Sequence, residues 1–238
     1  MIRAALLVAA AFLAGCGGGE DGQGPVVFAA ASLGSVAPEV DPEATVVLGG
    51  SNDLAAQIRD GAEADVILSA SAKPIEDLRS ERLVEAPVVF ASNRLVIVVP
   101  AEGTPVVSHV ADLTQEGVKL VLGAEGVPIG DYARELLELA GLGAALDNVV
   151  SLEDDVKGVV AKVGLGEADA GIVYATDATA AGDDVRTVDV SEYFQPDIRY
   201  YAAAVAPASE GAQAYLDRLT GEEGQQALEQ AGFLPVPS

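Results

Sequence analysis

Ser32 and Ser51 each follow a hydrophobic run and precede a helical pattern, in FAAASLGS (Phe28 to Ser35) and VLGGSNDL (Val47 to Leu54). The second half of the chain uses the same grammar in LGAEGVPIGDY (Leu122 to Tyr132). LEDDVKGVV (Leu152 to Val160) opens a further helix, with Asp154 or Asp155 as its candidate N-cap. These junctions carry a defined chemistry. The first turn of a helix presents N–H groups with no intrahelical partner and about half a positive charge. Several of them aimed at one cleft would bind a small oxyanion without any lysine or arginine. Hydrogen bonds to a charged group contribute roughly 1.5–3 kcal/mol each. Six or seven could offset a dianion's desolvation and leave micromolar to nanomolar affinity. Taken singly, each serine reads as an ordinary helix cap, and spacing alone names no ligand.

The elements that must position these residues alternate along the chain. Strand-like runs fall at 26–31, 45–48, 64–69 and 94–99, with helical patterns at 54–60 and 72–79. After Pro100 the pattern restarts, with strands at 118–123, 148–150, 170–174 and 185–190 and helices at 130–139 and 155–163. Tyr132, Leu136, Leu137 and Leu139 form the expected apolar stripe of the first of these two helices. Residues 198–205 return the chain to the first unit, and helices at 212–219 and 224–230 close it. Near-continuous apolar strands between short helices predict an α/β fold of two lobes, each with a mostly parallel sheet, joined by crossing strands.

Composition narrows the partners. The 238 residues carry 13 Lys plus Arg and 37 Asp plus Glu, a formal charge of -24. Such a surface repels nucleic acid and anionic membranes. The lack of Trp and the scarcity of other aromatics argue against base-stacking platforms. The first residues read as a leader: Arg3 is the basic segment, and Ala4 to Leu13 is an apolar stretch too short to span a bilayer. Leu13-Ala14-Gly15-Cys16 then resembles a bacterial lipobox, with GGGEDGQG following as a tether. This predicts a signal peptide over 1–15, lipidation of Cys16, a tether over 16–24 and a lipid-anchored domain on the extracytoplasmic face of the cell membrane. Cys16 is the only cysteine, so no intrachain disulfide is available.

Other candidates read more plainly. Tyr200-Tyr201 is a strand pair pointing to opposite faces. Glu153-Asp154-Asp155 favours a helix N-terminus, with one member capping it. His109, the sole histidine, lies in a loop, and one histidine gives no His-based zinc cluster. No nucleophile elbow, P-loop or dinucleotide fingerprint is present. We expect no enzyme activity, no cofactor and no metal held by side chains.

FAAASL, GGSNDLAAQIRDGAEADVILSA, NRLVIVVP, GVPIGDYARELL, EDDVKGVVAKVGLGEADAGIVYATDA and LEQAGFLPV occur in this order. Together they resemble the periplasmic molybdate-binding proteins of ABC transporters, and the likeness runs from Val26 to Val236. The resemblance implies the two-lobed type II periplasmic binding fold, with lobe 1 from 25–97 and 197–238 and lobe 2 from 98–196. It implies a monomer that binds molybdate or tungstate between the lobes and delivers it to a membrane permease. Another small ion on the same fold, such as sulfate, phosphate or ferric iron, is the alternative. Carried over by position, the ligand-binding set is Ser32 and Ser51 through hydroxyl and backbone N–H, Ile129 and Val156 through backbone N–H, and Tyr174 through its phenolic OH. Three departures stand out. The segment between Ser32 and Ser51 is short and holds Pro38 and Pro42. Ile129 replaces a small residue, which predicts a tighter pocket. Asp53 replaces a small or hydroxyl residue and must face away from an anion.

Overall fold

The computed structural model describes residues 24–236. The expected signal peptide and nearly all of the expected tether, with Cys16, lie outside the described residues. Ten strands follow in chain order. The first five are β1 (Val26–Ala30), β2 (Thr45–Gly49), β3 (Val66–Ser69), β4 (Val88–Ser92) and β5 (Leu95–Pro100). The others are β6 (Leu120–Gly123), β7 (Val149–Glu153), β8 (Ala170–Tyr174), β9 (Val185–Val188) and β10 (Arg199–Ala204). They form two five-stranded sheets, ordered β2-β1-β3-β10-β4 and β7-β6-β8-β5-β9. The two sheets share one plan. Three strands pair in parallel at one side (β2-β1-β3 and β7-β6-β8), and two more add antiparallel pairings (β10 and β4, β5 and β9).

The helices are α1 (Ala37–Val40), α2 (Ser51–Arg59), α3 (Ala72–Ser80), α4 (Pro128–Leu139), α5 (Val156–Gly164), α6 (Ala175–Ala181), α7 (Glu210–Thr220) and α8 (Glu222–Gln230). The α1 helix has only four residues, because Pro38 is accepted only in its first turn and Pro42 follows its end. In α4 the buried residues are Pro128, Ile129, Gly130, Ala133, Leu136 and Leu137, whereas Leu139 is 49% exposed. The expected stripe therefore shifts. Ala133 and Leu137 lie four residues apart on one face, and Leu139 falls two residues beyond Leu137, across the helix.

The expected lobe boundary at 97/98 moves. All of Leu95–Val99 is buried, because β5 lies between β8 and β9 in the second sheet, with Leu95 opposite Tyr174 and Pro100 opposite Val185. The chain thus crosses between lobes at Asn93 and Arg94, directly after β4. It crosses back between β9 and β10. Two elements had no sequence expectation. The β4 strand draws its order from pairing with β10 across the sheet, and α6 continues from β8 without turn punctuation.

Close backbone approach sets the turn between β6 and α4. A Cβ on Gly130 would run into the carbonyl oxygens of Gly123 and Ala124, and one on Gly123 would lie 2.7 Å from Ile129 Cγ2. Gly123 thereby makes room for the branched side chain of Ile129. Gly130→Ala is expected to destabilise the protein by about 1–3 kcal/mol, the range for overpacking, read as a lower urea midpoint at unchanged m-value.

Candidate functional site

The carboxyl ends of the parallel strands in both sheets face one cleft, as α/β topology requires. Ser32 lies in a three-residue 3-10 turn (Ala31–Leu33) that continues β1. Ser51 is the first residue of α2, straight after β2. Pro128 and Ile129 open α4, Val156 opens α5, and Tyr174 ends β8. All five residues carried over from the sequence line this cleft: Ser32 and Ser51 from the first lobe, Ile129, Val156 and Tyr174 from the second. Its empty volume, open solvent at the mouth included, is about 230 Å³. Among the described residues no lysine or arginine lines it, and its one ionisable carboxylate is Asp155. Asp53 is exposed on α2 and is not among the residues lining the cleft, but its Oδ2 lies close to Gly50, which does line it: a Cβ on Gly50 would be 3.5 Å away.

The serines are not helix caps. The N-cap of α2 is Gly50, and no side chain caps either α2 or the turn holding Ser32. Instead the Ser51 Oγ accepts the N–H of Ala70 at 3.1 Å, and the Ser32 Oγ accepts the Tyr200 hydroxyl at 3.0 Å. A serine hydroxyl has one proton and two lone pairs. Each serine receives a hydrogen bond from the protein and keeps its own proton to give. On α5, Asp155 is the N-cap and accepts the N–H of Gly158 at 2.9 Å. The Val156 N–H, in the first turn, has no intrahelical acceptor.

Tyr174 is 1% exposed, and its Oη has no hydrogen-bond partner among the described residues. Leaving such a donor unmet costs about 1–3 kcal/mol. Burial raises its pKa well above 10, with the neighbouring Tyr200 and Tyr132 adding to the rise. The phenol therefore stays a neutral donor at neutral pH, and the stability linked to this neutral state is full below about 10, the unfolded value, and is lost as pH rises from there to the raised value. Tyr132, edge-on to Tyr174 at 6.4 Å, is pushed up to about 12, chiefly by burial.

The cation nearest in sequence to these donors is tied up. Lys157 Nζ lies 2.8 Å from Asp177 Oδ1, without hydrogen-bond alignment, and joins α5 to α6. Burial raises the Asp177 pKa against the pull of Lys157. His109 caps a short 3-10 turn with Asp112, and no cluster of metal-ligating side chains occurs among the described residues.

The lobes touch across the mouth. Asn52 Nδ2, on α2, donates to the carbonyl of Gly126 in the second lobe. A Cβ on Gly50 would lie 2.6 Å from the Asp154 carbonyl oxygen.

Fold and site define a two-lobed binding protein. The chain belongs to the bacterial extracellular solute-binding protein family, whose model matches residues 37–234. It is 34% identical over 221 residues to the molybdate-binding protein ModA of Mycobacterium tuberculosis strain H37Rv, covering 87% of this chain and 83% of that protein. A solved substrate-binding domain of a putative molybdenum ABC transporter from Clostridium difficile is 31% identical, with TM-score 0.67, over 90% of this chain and 99% of that one. The Azotobacter vinelandii periplasmic molybdate-binding protein shares the fold at TM-score 0.77 and 19% identity, over 90% of this chain and 100% of that one.

Gly50 has extended φ and ψ of -63° and 137°, which any residue adopts. Gly50→Ala should leave each lobe folded and hold the lobes apart at Asp154. Small-angle scattering is expected to give a larger radius of gyration than for the parent, with unchanged circular dichroism.

Proposed function

We propose that this chain captures molybdate or tungstate, as the tetrahedral dianion, between its lobes and delivers it to an ABC permease in the membrane. The observation that carries this reading is the cation-free cleft in which hydroxyls and helix N-termini from both lobes meet an unpartnered buried phenol. The set consists of donors that stay protonated at neutral pH, which suits a fully deprotonated oxyanion. The molybdate-related names of the relatives agree with this chemistry. Ser32 and Ser51 would each give hydroxyl and backbone N–H, Ile129 and Val156 backbone N–H, and Tyr174 its phenol. No bond is made or broken, no cofactor takes part, and the carrier works as a monomer. The lobes close by hinge bending at the two crossings, so donors of both lobes reach the same anion.

Titration calorimetry with molybdate, tungstate and sulfate tests the reading; a response to sulfate alone would overturn it. Ser51→Ala is expected to weaken molybdate binding at least tenfold with the ligand-free fold intact. Tyr174→Phe is expected to weaken it by about 1.5–3 kcal/mol, the contribution of one hydrogen bond to a charge. The same change should not lower the ligand-free melting temperature, since it removes a buried hydroxyl with no protein partner.

The lipobox reading supports anchoring through Cys16 on the extracytoplasmic face. Acyl chains contribute about 0.8 kcal/mol per buried CH₂. Cys16→Ser is expected to move the protein from the membrane fraction to the soluble one, checked by fractionation of expressing cells.

A further inference from the structure

Tyr200 stands outside the expected ligand set, yet it holds one of that set in place. It is fully buried on β10, and its ring meets Tyr174, Phe90 and Phe233 edge-on, with centroids 5.8, 6.2 and 5.2 Å away. Its hydroxyl lies 3.0 Å from the Ser32 Oγ and 3.4 Å from Asn93 Nδ2. The direction of these bonds follows from Asn93. That side chain accepts the Arg94 N–H on its Oδ1 at 2.9 Å, so its NH₂ group faces Thr176 Oγ1, at 2.9 Å, and Tyr200. Facing an NH₂ donor, the Tyr200 oxygen accepts there and must give its own proton to Ser32. The reverse order would leave the Tyr200 proton with no acceptor among the described residues. Ser32, occupied as an acceptor, then turns its proton elsewhere, and it lines the cleft.

We propose that Asn93 and Tyr200 form a positioning relay, anchored at the hinge, that sets the Ser32 hydroxyl as a donor to the bound oxyanion. The proposal rests on the oxyanion reading above. Three hydrogen bonds run in one direction, Asn93 to Tyr200 to Ser32 to ligand, and each polarises the next. Asn93 lies where the chain crosses from β4 to β5, and its partner Thr176 lies on α6 of the second lobe. The relay therefore passes the hinge's local arrangement to a donor in the first lobe. Neither Tyr200 nor Asn93 lines the cleft.

Tyr200→Phe keeps the ring and removes the hydroxyl. Molybdate calorimetry on the full chain is expected to show binding weakened on the order of tenfold, with the ligand-free circular dichroism unchanged. In a Ser32→Ala background the same change is expected to have no further effect, which a purely structural role would not produce. Parent-like affinity for Tyr200→Phe, or equal weakening in both backgrounds, would overturn the relay. If Tyr200→Phe proves too unstable to titrate, Asn93→Ala, which removes the upstream donor, is judged by the same two criteria. A parent protein that binds neither molybdate nor tungstate would overturn the oxyanion reading itself, and the relay with it. A parent that binds, with the variants uncoupled, overturns the relay alone.

Discussion

A helix N–H left without an acceptor is tolerable only where water or a ligand can meet it. In this fold α2 starts at a shared cleft from the first lobe, α4 and α5 start at it from the second, and β1 runs into it through the Ser32 turn. These unmet donors are what the rest of the architecture serves. They are partial charges fixed to backbone, so they need no mobile cation and bring no counter-ion. That matters in a chain whose formal charge is -24. Lysine or arginine in the cleft would have to be desolvated together with any anion, whereas oriented dipoles are already held by the helices behind them.

Side chains extend the same logic. Ser51 is occupied by the Ala70 N–H and Ser32 by Tyr200, so both hydroxyls are biased toward giving a proton. Tyr174 has no hydrogen-bond partner among the described residues, and its neighbours Tyr132 and Tyr200 pack edge-on around its ring. Burial that would be a liability for a charged group suits a phenol, which stays neutral. Lys157 points its charge at Asp177 rather than at the cleft. The two lobes meet at the mouth through Asn52 and Gly126, and Gly50 lets the backbones come close.

Several strand-to-helix junctions were legible in the chain as changes of periodicity, whereas the set of five site residues came from the resemblance to the molybdate-binding family. Such junctions survive in sequence as small, hydroxyl or proline residues. The helix expected at 130–139 was legible for the same reason, although it starts two residues earlier at Pro128 and Leu139 was misplaced, since composition does not say which side of a stripe meets the sheet. The β4 strand, α6 and the crossing at Asn93 were not legible. VVFAS and ATDATAA carry no marker that separates an edge strand or a short helix from a loop, and LVIVVP reads equally well in either lobe.

By itself the sequence determined the two-lobed α/β class, the alternation of elements and the neutral character of the donors, because these follow from local periodicity and residue type. Only the tertiary structure decided that β5 belongs to the second sheet, that the serines accept from Ala70 and Tyr200 rather than cap helices, and that Asn93 stands at the hinge. Those facts depend on partners 19, 168 and 107 positions apart in the chain. Hydrogen bonds over such separations leave no periodic trace, since each side chain's choice of partner is settled when the two sheets come together.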